Sequence, residues 1–88
     1  MSKRGDSLFI NKGDNGSNNI CGRKVAEERK RLGKSQRELA DTLQLLGLDV
    51  DKNAVQRIEA GKRFVTDIEI IFLSKALNIT VNELLGLQ

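Results

Sequence analysis

Four side chains near the middle of the sequence, Lys52, Asn53, Gln56 and Arg57, carry groups that can make paired or charged hydrogen bonds. Arginine offers a flat fork of donors, and the amides of asparagine and glutamine hold a donor beside an acceptor. These are the shapes that match base edges, arginine to guanine and the amides to adenine. If the segment is helical, Asn53, Gln56 and Arg57 share one side with Lys52 at its margin, while Val55 and Ile58 form the apolar underside. That outer side contains no acid and so suits a polyanion. An ordinary solvated helix surface would have the same position, and this helix alone leaves both readings open.

Other chemistries lack their residues. With no histidine there is no common general base, and no Gly-rich phosphate loop, paired-carboxylate pocket or metal-ligand spacing is evident. No enzyme, metal or cofactor is therefore expected. The lone Cys21 cannot form an internal disulfide and reads as a small buried core residue in a reducing, cytoplasmic setting. No apolar run approaches the roughly 20 residues that span a bilayer, and Lys3-Arg4 precedes no uninterrupted apolar stretch, so neither membrane insertion nor export is expected. Asn78-Ile79-Thr80 fits a glycosylation sequon only formally in such a chain.

The elements that must position the four side chains follow from length and pattern. The 88 residues allow one small domain with an aliphatic core, near the size at which dimerisation helps. The absence of proline and of strand-like alternation tilts the fold toward all-α. A net charge of +3 and a pI near 9.3 permit a polyanionic partner without requiring one.

Residues 1–19 are rich in Gly, Asn, Ser, Asp and Lys and are expected to form a disordered tail. Lys3, Arg4 and Lys12 could serve as a basic arm, and Leu8-Phe9-Ile10 as a docking patch. Residues 20–88 form the expected folded domain. Cys21, Val25, the Arg29 stem and Leu32 mark a first helix over about residues 20–32, ended by Gly33. Ser35-Gln36-Arg37-Glu38 is a capping box that opens a second helix, with Leu39, Ala40, Leu43 and Leu46 as its inner stripe and Gly47 as its stop. Asp51 caps a third helix running from Lys52 to about Ala60. Thr66 to Glu69 opens a fourth, whose apolar face is read as Ile68, Ile71, Phe72, the Lys75 stem and Leu77. Thr80 to Glu83 opens a fifth carrying Leu84, Leu85 and Leu87.

Three stretches in this order carry a family resemblance: Gly33-Lys34-Ser35-Gln36-Arg37-Glu38-Leu39-Ala40, then Val55-Gln56-Arg57-Ile58-Glu59-Ala60-Gly61-Lys62-Arg63, then Lys75-Ala76-Leu77-Asn78-Ile79-Thr80. Together they resemble the lambda-repressor and Cro type of helix-turn-helix domain, over nearly everything after residue 20. The resemblance implies a five-helix, lambda-repressor-like domain whose second helix braces on the DNA backbone while the third enters the major groove. Lys52, Asn53, Gln56 and Arg57 would face bases, and Gln36, Arg37, Lys62 and Arg63 would contact phosphates. Arg29 and Glu59 match positions of an ion pair that locks the first helix to the third.

One departure is plain. The stretch between Ala40 and Val55 is about five residues longer than the usual family pattern, through Gln44-Leu45-Leu46-Gly47-Leu48-Asp49-Val50. Either the second helix gains a turn or the loop bulges with Leu45 or Leu48 partly exposed. The function implied is a sequence-specific transcriptional regulator, a bacterial repressor binding a two-fold operator as a homodimer and controlled by abundance, proteolysis or a separate protein partner. Leu84, Leu85 and Leu87 could form the dimer contact or seal the first and fourth helices. The alternative is a protein-interaction adapter or antitoxin-like partner that uses the same fold as a scaffold.

Overall fold

In the computed structural model, which describes residues 16–87, three helices begin at completed capping boxes. Helix α2 (Gln36–Leu46) starts where Glu38 N donates to Ser35 Oγ at 3.0 Å and Ser35 N donates to Glu38 Oε1 at 2.7 Å. Thr66 with Glu69 opens α4 (Asp67–Leu77), and Thr80 with Glu83 opens α5 (Val81–Leu85), in the same way. Each box satisfies two backbone donors that a helix start leaves orphaned. Helix α1 (Gly22–Arg31) starts two residues later than its apolar period suggested, leaving Ile20 outside and exposed. Helix α3 (Lys52–Glu59) is capped by Asp51, whose carboxylate accepts from Ala54 N at 2.8 Å.

The chain is all-α with five helices, and no strand occurs among the described residues. The core gathers Val25 from α1, Leu39 and Leu43 from α2, Val55 and Ile58 from α3, Leu73 and Leu77 from α4 and Leu84 from α5. Cys21 is buried with them, and burial pushes its thiol up to about 11. Leu84 thus seals the core, while Leu87 lies past the helix and is exposed.

The apolar face of α4 differs from its sequence reading. Leu73, Ser74, Ala76 and Leu77 are buried, whereas Ile68 and Ile71 are 62% and 49% exposed. Five apolar residues in the six positions from Ile68 to Leu73 surround this helix, so periodicity does not select a side. Leu46 is likewise exposed rather than part of the inner stripe of α2.

Of the two expected arrangements for the long connection, the chain takes the longer helix. Helix α2 does run to Leu46, Gly47 turns the chain at φ 112°, and Leu48 N returns to Leu43 O at 2.9 Å. Leu45 is left 89% exposed and Leu48 half-buried. Gln44 Nε2 then donates to Val50 O at 2.7 Å, and Val50 enters the core, so the extra residues are packed up to the start of α3.

The caps also set the pH response. Hydrogen bonds from Ser35 and Thr80 hold the Glu38 and Glu83 carboxyls below the usual range. For Glu69 burial pushes upward, but bonds from Arg63 and Thr66 outweigh it and the shift is downward. Depressed folded values stabilise above the unfolded carboxylate value, about 4.3, and that stability is lost as pH falls through the folded values. Cys21 acts at the other end: its folded value is raised, so its contribution is lost as pH rises from the ordinary 9.0 through about 11. With no histidine present, urea midpoints measured against pH are expected to be level between about pH 6 and 8 and to fall on both sides.

Candidate nucleic-acid interface

Helix α3 has two faces because Val55 and Ile58 point into the core. Lys52, Asn53, Gln56 and Arg57 are consequently all exposed on the other side. Lys52 and Asn53 sit in the first turn, fixed by the Asp51 cap, and Gln56 and Arg57 follow one turn later. Neither Lys52 nor Arg57 takes part in an ion pair among the described residues, and the same holds for Arg37 and Lys62. All four cations are exposed and present their charge to solvent. Four cations elsewhere do pair: Lys24 and Arg31 with Glu28, Arg29 with Glu59 and Arg63 with Glu69.

The framework behind this face is built around Glu59. Its carboxylate receives Arg29 Nε at 2.6 Å and a second guanidinium nitrogen at 3.0 Å, and Gln36 Nε2 at 3.0 Å. Arg29 also donates to Lys34 O at 2.8 Å. One carboxylate therefore ties α1, the start of α2 and the end of α3 together. The hydrogen bond and charge of Glu59 raise the Arg29 pKa against the opposing effect of burial, so the guanidinium keeps its charge beside the carboxylate. Gln36 thus points its amide at this network, where it braces α3 from the start of α2.

Arg63 has a partner within the domain. Its guanidinium makes a two-pronged contact with Glu69, both bonds at 3.0 Å, and the same carboxylate accepts from Thr66 N at 3.0 Å. These bonds secure the start of α4. Lys62 next to it stays exposed.

Two features were not read from sequence. Asp41 and Asp51 share a cleft between α2 and α3 with Arg37, Lys52 and Asn53, so the groove beside the outer face of α3 is of mixed charge. Asn18 and Asn19, assigned to the tail, are bonded to the loop after α3. Their partners lie about 40 residues away, which no local pattern reveals. The expected basic arm, Lys3, Arg4 and Lys12, lies outside the described residues. Among the described residues no three acidic, His or Cys side chains converge to hold a metal ion, and no helix is long and apolar enough to cross a membrane.

A short helix locked on two neighbours, with Lys52, Asn53, Gln56 and Arg57 turned outward, is the arrangement of a helix-turn-helix DNA-binding regulator. The chain matches the helix-turn-helix family over residues 25–84, and it belongs to that family, of the lambda-repressor and Cro type. It is similar to the restriction-modification controller protein C.AhdI from Aeromonas hydrophila, with 36% identity, a TM-score of 0.62 and coverage of 72% of this chain and 84% of that one. A structure of the SinR protein/SinI protein complex aligns at 27% identity and TM-score 0.63, covering 75% of this chain and 60% of that chain. The clp gene regulator ClgR from C. glutamicum shares the fold at 22% identity and TM-score 0.67, over 78% of this chain and 83% of that one. No curated protein matches the chain.

Proposed function

We propose that this protein is a sequence-specific transcriptional repressor, bacterial and cytoplasmic, that binds a two-fold DNA operator as a homodimer with α3 in the major groove. The observation that carries the reading is the outer face of α3: Lys52, Asn53, Gln56 and Arg57 are exposed together while the rest of the helix is fixed to the core and to Arg29 through Glu59. A pure protein interface favours aromatic, Met and other apolar anchors at its centre, and this face has none. Similarity to a restriction-modification controller protein supports a regulatory role.

In this reading Arg57 reads guanine and Asn53 or Gln56 reads adenine, while Arg37, Lys62 and the start of α2 near Gln36 approach phosphates. Half-sites lie about one helical turn apart. Exposed Phe64, Ile68 and Ile71 supply apolar surface for a second copy, a role that buried Leu84 cannot fill. Control comes from abundance, proteolysis or a separate protein partner.

The test is selection of bound duplexes from a random pool, followed by titration at several salt concentrations. Arg57→Ala is expected to relax one base position and to cost about 1–3 kcal/mol on the selected site. Lys62→Ala is expected to weaken all sequences and to lower the salt slope by about one. If no sequence is enriched and affinity stays near 10⁻⁴–10⁻⁶ M, roughly the non-specific level at physiological salt, the repressor reading is wrong and the adapter reading takes its place.

A further inference from the structure

The loop after α3 must turn sharply from the recognition helix to α4, and its carbonyls are collected by two consecutive asparagines. Asn18 N donates to Gly61 O at 2.7 Å, and Asn18 Nδ2 to Lys62 O at 2.9 Å. Asn19 Nδ2 donates to Ile58 O at 3.1 Å and to Arg63 O at 2.8 Å. The Asn19 Oδ1 accepts from Gly22 N at 2.8 Å, capping α1. Four carbonyls around the end of α3 are thus held by residues that precede the first helix. Gly61 has φ +76°, and its missing Cβ leaves room for Ser17, whose Oγ would lie 2.9 Å from it. The segment lies directly over the turn.

We propose that Asn18 and Asn19 are positioning residues for DNA binding: they clamp the 61–63 backbone so that the Lys62 ammonium is presented to a phosphate at the end of the recognition helix. This rests on the DNA-binding reading above. The side chains themselves do not touch DNA. Lys62 makes no ion pair that could orient it among the described residues, and its neighbour Arg63 is spent on Glu69, so the backbone is what fixes where Lys62 projects. Without the clamp the loop exchanges its Asn bonds for water, and Lys62 no longer holds its place against the phosphate, so that contact is lost.

The experiment uses the full chain carrying Asn18→Ala with Asn19→Ser. Serine retains an acceptor for Gly22 N, so the α1 cap survives while the side-chain bonds to 58, 62 and 63 are lost. Circular dichroism and a thermal melt establish the folded fraction, and DNA titrations are run where that fraction is complete. The expected result is about tenfold weaker binding to the selected duplex, with a salt slope lowered by about one, as for loss of one phosphate contact. The same substitutions placed on Lys62→Ala are expected to weaken binding no further, because both act through one contact. A folded variant with wild-type affinity and slope overturns the clamp, and so does an equal additional loss on the Lys62→Ala background. Should the wild-type chain itself bind no duplex above the non-specific level, the DNA-binding reading fails first, which separates the two outcomes.

Discussion

Glu59→Ala is expected to destabilise the domain by about 3 kcal/mol or more, read as a fall in the urea midpoint at constant slope. The side chains of Arg29 and Glu59 are only 11% and 8% exposed, so removal of the carboxylate leaves a guanidinium sheltered from water without its counter-charge. Gln36 Nε2 loses its acceptor in the same step. At roughly 0.05–0.15 kcal/mol per residue a domain of this size has only several kcal/mol of stability, so the loss removes a large share of it. Glu59→Gln keeps the shape and one acceptor and is expected to fall between the two. A loss below about 1 kcal/mol for Glu59→Ala is the size expected of an exposed pair and would show that the network does not hold the three helices.

The second large effect lies at Gly22. A Cβ there would collide with the carbonyl oxygen of Ile58 and lie 3.1 Å from that of Glu59, both backbone atoms of α3. Alanine normally helps a helix interior by about 1 kcal/mol over glycine, but less at its first position, where the residue is only partly committed to the helix. The obstacle here is backbone, which cannot rotate away as a side chain would, so overpacking decides the sign. Gly22→Ala is expected to destabilise by about 1–3 kcal/mol, measured by the same denaturation, and to loosen α1 from α3. Stabilisation by the substitution would mean that the two helices can separate freely.

Much of this architecture is local chemistry and was legible as such. Ser35 with Glu38, Thr66 with Glu69 and Thr80 with Glu83 announce helix starts because the bonds that form them span three residues. The outward set on α3 was also legible, since that helix has only Val55 and Ile58 to bury, with half-buried Ala54 beside them, and so displays a clean period. The face of α4 was not, because Ile68, Ile70, Ile71, Phe72 and Leu73 are all apolar and the choice among them is made by α2, α1 and α5 packing against it. Asn18, Asn19 and the Arg63 to Glu69 pair escaped for a related reason. Their polar atoms look solvated in sequence and acquire partners only once the turn after α3 is built.

The division of α3 into an inner and an outer face also bears on how such a chain can change over generations. Val55, Ile58 and Glu59 hold the helix in place, while Lys52, Asn53, Gln56 and Arg57 are exposed and outside the core. On the function proposed above, mutations in the outer four would therefore drift to new operators with little effect on whether the chain folds. Recognition and folding would then be inherited on separate sets of codons within a single eight-residue helix.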